Sequence, residues 1–267
     1  MVRIAGFLFL CLFGGAAQAA SSQWLLTEGG GVRLVALAPD SDGTIPAILE
    51  IRLKEGWKTY WLDPGESGIP PQVSFAPESG VTFTGLRFPV PKRFDDGVVR
   101  YTGYDQPVAF LLSLKGGPQS SLTASVFLGI CKDICIPVQG ALAVDLKTDK
   151  GVNLLEKAII EQAEAALPEP ATADFQVKSY RIDHDTGRLQ VVLTVPPGTS
   201  AAGTGIFLAG PSGESFGKPE NAVLKGNELT AELAVAGENA DKKLAGKTLT
   251  LIAAAAGRSM QTALAFD

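Results

Sequence analysis

The chain is predicted to be all-β, with two β-sandwich domains joined by one linker helix. Three observations carry that prediction. Short runs rich in Val, Leu, Ile and Phe are separated by Gly, Pro, Asp and Ser along most of the 267 residues, the pattern of strands and turns. Few helical patterns intervene between the runs, which selects a sandwich over a parallel sheet. The pattern breaks once, into a helical periodicity after Gly151, and then resumes.

Residues 1–19 read as a signal peptide. Arg3 supplies the positive end, Ile4 to Phe13 the apolar region, and Ala17-Gln18-Ala19 the cleavage site. The apolar stretch is too short to span a bilayer. Cys11 lies inside it and is not a lipoprotein cysteine, because Leu12 and Phe13 continue the apolar run. The expected compartment is oxidising. The Ala-x-Ala site and the lack of an Asn-x-Ser/Thr acceptor fit a bacterial periplasm.

Residues 20–149 are expected to form the first sandwich, with strands at Val32 to Ala38, Ala47 to Leu53, Val73 to Phe75, Val81 to Phe88, Val108 to Leu114, Leu122 to Ile130 and Ala141 to Leu146. Residues 150–170 hold the helix, Val152 to Leu167. Its apolar stripe is Leu154, Leu155, Ala158, Ile159, Gln162, Ala163 and Ala166. Asn153 with Glu156 caps its start, and Pro168-Glu-Pro170 ends it. It reads as a linker, or else as a decoration of the first sandwich. Residues 171–267 form the second sandwich. Phe175 to Ile182 and Arg188 to Val195 flank the turn Asp183-His-Asp-Thr-Gly187. Further strands are expected at Gly205 to Ala209, Glu228 to Val235, Lys247 to Ala255 and Gln261 to Phe266, and the Gly- and Ser-rich stretch Ala201 to Lys218 is expected to be mostly loop.

Composition removes several function classes. The formal charge is −5 with no basic cluster, which excludes nucleic acid and anionic lipid as partners. The strongest later apolar run, Leu249 to Ala256, has the length of a buried strand, so no direct membrane insertion is expected. The single histidine, His184, is expected to be a solvated turn residue. With Cys131 and Cys135 it cannot complete a standard structural zinc site, and it lies too far along the chain for a Cys–His hydrolase.

Chemistry concentrates in Gly129-Ile-Cys-Lys-Asp-Ile-Cys-Ile-Pro137. If Leu122 to Ile130 and Ile136 to Leu146 pair as a hairpin, Cys131 and Cys135 face each other across its mouth, at about 4.5–5.5 Å between Cα atoms, compatible with a disulfide. Pro137 cannot donate a ladder hydrogen bond and belongs at an edge or a strand start. A bond closing only five residues gives about 2 kcal/mol by loop entropy, low for a staple. Exchange requires an accessible sulfur and a favourable thiolate; Lys132 would favour it and Asp133 oppose it. The spacing is not the Cys-x-x-Cys of thioredoxins. On these residues alone, a structural staple and a redox couple both stand.

The wider sequence bears on that choice. Gly56-Trp-Lys-Thr-Tyr-Trp-Leu-Asp-Pro-Gly-Glu-Ser-Gly-Ile-Pro-Pro71, then Phe88-Pro-Val-Pro-Lys-Arg-Phe94, Tyr101-Thr-Gly-Tyr104 and the cysteine block resemble the amino-terminal periplasmic domain of the DsbD/ScsB group of disulfide reductases. The resemblance covers roughly Val32 to Leu146. It implies an immunoglobulin-like sandwich whose dithiol takes electrons from a membrane-embedded thiol reductase of CcdA/DsbD type. Those electrons pass to periplasmic thioredoxin-fold proteins that serve disulfide isomerisation or cytochrome c assembly, with no metal or organic cofactor. Carried over by position, Cys131 and Cys135 are the exchanging pair, Tyr60 an aromatic neighbour of the site, and Asp95 to Tyr101 the loop that shields the cysteines. Two features depart from the family. The cysteines are closer in sequence than in its best-known members, and Asp95-Asp-Gly-Val-Val-Arg100 replaces an aromatic-rich cap. The electron source is expected to be a separate membrane protein. A plainer reading of the aromatic block makes Trp57, Tyr60 and Trp61 core residues, Asp63-Pro-Gly65 a turn and Pro70-Pro71 a strand entry. Glu66 could accept a proton near the sulfurs.

Overall fold

The computed structural model describes residues 20–65, 68–95, 100–117, 121–146, 154–183, 185–237 and 240–267. The expected signal peptide with Cys11, the helix cap Asn153, Glu66, the centre of the 95–101 loop and His184 lie outside the described residues.

The first sandwich is built from β1 (Leu25–Thr27), β2 (Gly30–Ala36), β3 (Ala47–Leu53), β4 (Lys58–Gly65), β5 (Gln72–Phe75), β6 (Val81–Arg87), β7 (Lys92–Asp95), β8 (Arg100–Tyr104), β9 (Val108–Gly116), β10 (Ser121–Cys131) and β11 (Cys135–Asp145). One sheet runs β1-β2-β3-β9-β6. The other runs β11-β10-β4-β8-β7, with β5 paired to β10. All these pairings are antiparallel. Period-two alternation sets the faces. On β10, Leu122, Ala124, Val126, Leu128 and Ile130 are buried and meet Leu34, Leu49, Ile51, Phe110 and Leu112 of the facing sheet. Trp57 and Trp61 are in this core, as the plainer reading of the aromatic block expects. Asp63-Pro-Gly65 is not a separate turn: it is the end of β4, where the register against β8 shifts between Tyr60 and Gly65.

The helix α1 (Leu154–Ala165) docks on the first sandwich, its Ile160 and Ala163 packing with Val35, Ile48 and Leu111. The packed stripe overlaps the expected one in part: Ile159 and Ala163 meet the sheet as expected, Ile160 and Leu167 join them, and Leu154 and Leu155 are exposed.

The second sandwich comprises β12 (Glu169–Pro170), β13 (Gln176–Asp183), β14 (Arg188–Thr194), β15 (Gly205–Ala209), β16 (Phe216–Lys225), β17 (Glu228–Val235), α2 (Ala240–Leu244), β18 (Thr248–Ala255) and β19 (Arg258–Ala265). Its sheets run β12-β19-β18-β15 and β13-β14-β17-β16, and they enclose Leu189, Val191, Leu193, Leu229, Leu233, Leu249, Leu251 and Met260. The architecture is thus two all-β immunoglobulin-like sandwiches with one substantial helix. The two are not separate bodies on a string: Phe207, Ala209 and Ile252 of the second join the core of the first. Among the described residues no helix is long and apolar enough to cross a membrane.

Candidate functional site

The hairpin β10–β11 pairs without a break from Ser121↔Asp145 to Cys131↔Cys135. That register sets the two sulfurs side by side at the turn end, where they form a disulfide, with Cα atoms 4.1 Å apart. The turn is closed by the Lys132 N–H donating to the Ile134 carbonyl at 3.0 Å. Pro137 sits opposite Gly129 on β11, the sheet's edge strand, where its missing N–H leaves no ladder bond broken.

The two sulfurs have unlike surroundings. Cys135 is exposed at the tip, next to Ile134, which is 67% exposed. Cys131 is 2% exposed. Alternation explains how. Ile130 points into the core, so Cys131 lies on the outer face of the same sheet, and it is buried there by rings from neighbouring strands. Tyr60 of β4, Tyr101 of β8 and Phe94 of β7 form a cluster over it. Phe94 and Tyr101 stack with centroids 4.6 Å apart and planes 8° off parallel, and Tyr60 meets Tyr101 edge-on at 5.9 Å. These are favourable aromatic geometries.

Tyr60 also reaches the exposed sulfur. Its Oη lies 3.4 Å from Cys135 Sγ, and because a disulfide sulfur carries no proton, the hydroxyl is the donor. Burial raises the Tyr60 pKa above the ordinary phenol value, with the neighbouring Tyr101 adding to the shift, so the proton stays available for donation. The ring fits because its walls are glycine. A Cβ at Gly129 would lie 3.3 Å from Tyr60 Cε2 and 2.9 Å from Ile69 Cβ, and one at Gly68 would lie 2.6 Å from Tyr60 Cδ1.

Lys58 pairs in register with Cys131, and its ammonium sits 4.2 Å from the Tyr101 centroid, a cation–π contact. Lys132 and Asp133 are both exposed in the turn. The Lys132 side chain lies along Gly56, whose added Cβ would come within 3.2 Å of Lys132 Cε. The structure therefore gathers Tyr60 with the cysteines, directs Lys132 toward the β3–β4 turn and leaves Asp133 in solvent. Phe94 and Lys58 were not singled out as site residues from sequence, and Tyr101 only as the end of the Asp95 to Tyr101 loop. The Asp95 to Tyr101 loop, where the resemblance implies shielding, contributes its flanks: Phe94 just before it and Tyr101 at its end.

No group of three or more His, Cys, Asp or Glu able to hold a metal is present among the described residues. The arrangement can do sulfur chemistry: an S–S bond with one open and one enclosed sulfur, and a hydroxyl aimed at the open one. Its structural value is small. The loop-entropy gain of about 2 kcal/mol equals roughly one buried Leu or Phe side chain, and the first core contains many.

Comparison with known proteins agrees with this anatomy. Residues 32–147 match the family "Thiol:disulfide interchange protein DsbD, N-terminal", and residues 166–267 match a domain of unknown function (DUF8393). Among curated proteins the chain has no significant match. Among solved structures, the N-terminal periplasmic domain of ScsB from Proteus mirabilis superposes with a TM-score of 0.73 at 25% identity, over 93% of this chain and 100% of that one. The sandwich that holds the cysteines therefore matches the DsbD amino-terminal domain family, and the chain as a whole is similar in structure to the ScsB periplasmic domain.

Proposed function

We propose that this chain is a periplasmic thiol–disulfide exchange protein that relays electrons from a membrane-embedded thiol reductase of CcdA/DsbD type to periplasmic thioredoxin-fold proteins. The observation that carries this reading is the asymmetry of the pair, Cys135 open at a rim and Cys131 enclosed by Tyr60, Tyr101 and Phe94. The family match and the periplasmic setting of the ScsB domain support it.

In the reductive half, a thiolate of the membrane donor attacks Cys135 Sγ. The Cys131–Cys135 bond breaks, and Cys131 leaves as a thiolate. A second donor thiolate then attacks the donor's sulfur in the mixed disulfide, and Cys135 leaves. The donor is oxidised to its disulfide and this chain holds two thiols. In the oxidative half, the Cys135 thiolate attacks the disulfide of a thioredoxin-fold acceptor, and Cys131 then attacks Cys135 in the mixed disulfide. The acceptor departs as a dithiol and the internal bond is restored. Exposure decides the order, because attack needs access to the sulfur. Tyr60 donates to the Cys135 sulfur and favours its thiolate.

Equilibration with glutathione buffers tests the proposal. The expected potential of the pair is above about −300 mV, the range of exchanging rather than structural bonds. A folded protein whose bond resists that thiol pool would refute it. A Cys131→Ala variant, which cannot resolve, is expected to accumulate a mixed disulfide with the acceptor through Cys135.

A further inference from the structure

The second sandwich has no cysteine and no cluster of chemical groups among its described residues, yet it is bound to the strands that make the pocket. On β4, Lys58 and Tyr60 lie on the outer face with Cys131, and the alternate residues Thr59 and Trp61 point inward. On β7, Phe94 faces outward onto Tyr101 and its neighbour Arg93 faces inward. Trp61, Arg93 and Asp63 meet the second sandwich. Trp61, 1% exposed, packs edge-on against Phe207 at 6.1 Å. The Arg93 guanidinium lies 4.3 Å from the Phe207 centroid and donates to the Ile206 carbonyl. Beyond the register shift on β4, Asp63 accepts the Phe216 N–H at 3.3 Å.

We infer that the second sandwich is a brace for the redox pocket: by gripping Trp61, Asp63 and Arg93, it fixes the strands whose next residues, Tyr60 and Phe94, enclose Cys131. Adjacent residues on an extended strand point to opposite faces, so displacing one inward side chain shifts the outward ring beside it. The joint is costly to leave half made. Burial lowers the Arg93 pKa to about 10 against the opposing pull of Asp63, and burial raises that of Asp63 even though backbone and side-chain hydrogen bonds and Arg93 favour its carboxylate. Separating the sandwiches would take the Ile206 carbonyl from Arg93 and the Phe216 N–H from Asp63. The ScsB domain, which matches 93% of this chain, has room for both sandwiches. Trp61, Asp63, Arg93 and Phe207 act through Tyr60 and Phe94 and are positioning residues.

This inference rests on Cys131 and Cys135 being the exchanging pair, but its test reads enclosure rather than turnover. The full chain is reduced with a phosphine and alkylated with iodoacetamide. Trypsin cleavage after Lys132 then counts Cys131 and Cys135 on separate peptides. Phe207→Ala removes the ring on which Trp61 and Arg93 both pack, and is expected to raise the Cys131-to-Cys135 labelling ratio at least ~5-fold, the effect of about 1 kcal/mol in pocket opening. Leu193→Ala, a cavity in the second core away from the joint, is expected to leave the ratio unchanged. Asp63→Asn keeps volume and weakens the grip on Phe216; it is expected to raise the ratio less, and it decides the matter alone should Phe207→Ala fail to fold. An unchanged ratio in folded Phe207→Ala and Asp63→Asn, or an equal rise in Leu193→Ala, would overturn the brace. Failure of the exchange proposal would be seen separately, in the glutathione equilibrium of the wild-type chain.

Discussion

Replacing Tyr60 by Phe deletes one hydroxyl and little else, because the ring remains packed against Tyr101 and between Gly68 and Gly129. The lost donor lies 3.4 Å from Cys135 Sγ. A hydrogen bond to a charged acceptor contributes about 1.5–3 kcal/mol. A long contact to sulfur at a partly open site belongs at or below the lower end, at about 1.4 kcal/mol, which equals about one pKa unit. The sign follows from the donor's role. Tyr60 stabilises the Cys135 thiolate, so removing it raises the thiol pKa. At neutral pH the thiolate fraction then falls about tenfold, while the more basic thiolate is about threefold more nucleophilic, leaving attack about threefold slower. The assay is the pH dependence of iodoacetamide labelling of Cys135 in the reduced chain, wild type against Tyr60→Phe. A midpoint that stays put, or moves down, would show that the phenol does not act on this sulfur and would refute the reasoning.

Three other outcomes are expected. The double variant Cys131→Ala/Cys135→Ala should keep its fold by circular dichroism and lose about 2 kcal/mol in urea unfolding; collapse would make the bond a staple. Gly129→Ala should destabilise by about 1–3 kcal/mol and slow reduction by glutathione in the surviving fold, because its methyl group would press on Ile69 and the Tyr60 ring; wild-type stability would show that the wall yields. Burial holds the Asp63 carboxyl above the ordinary carboxylate value of 3.8, so between that value and its folded pKa the unfolded chain is ionised and the folded chain is not. Asp63 therefore contributes a loss of stability as pH rises through that window. Urea midpoints measured upward from about pH 4 should show this slope in the wild type and lack it in Asp63→Asn.

Much of the fold was legible because burial writes itself as alternation. The strands Ala47–Leu53, Gly205–Ala209 and Glu228–Val235 were read at their observed bounds, each with a buried face. β4 was missed as a strand because Asp63-Pro-Gly65 looks like a turn and its aromatic residues serve both faces. β7 and β8 are short, and their pairing carries the pattern only in three dimensions. β16 begins inside the stretch expected to be loop. It is an edge strand interrupted by two register shifts, with Pro219 in its run and Asn221 at φ 51°, so its sequence lacks a regular period. The cysteine pair and Tyr60 could be named from spacing and resemblance. The resemblance reached Tyr101 only as a loop end, and Phe94 and Lys58 could not be named, because only the antiparallel arrangement of β7, β8, β4 and β10 brings them together. The joint with the second sandwich left no local signal: Arg93 and Ile206 are 113 residues apart.

The uninterrupted ladder between β10 and β11 also bears on biogenesis. Side chains on a strand change face with every residue, so a slip of one position would turn Cys135 away from Cys131 and expel Val138, Leu142 and Val144 from the interior. Closing the bond in the aligned hairpin therefore locks that register in place. For a chain folding where disulfides persist, that bond would hold this half of the molecule zipped up in its proper alignment.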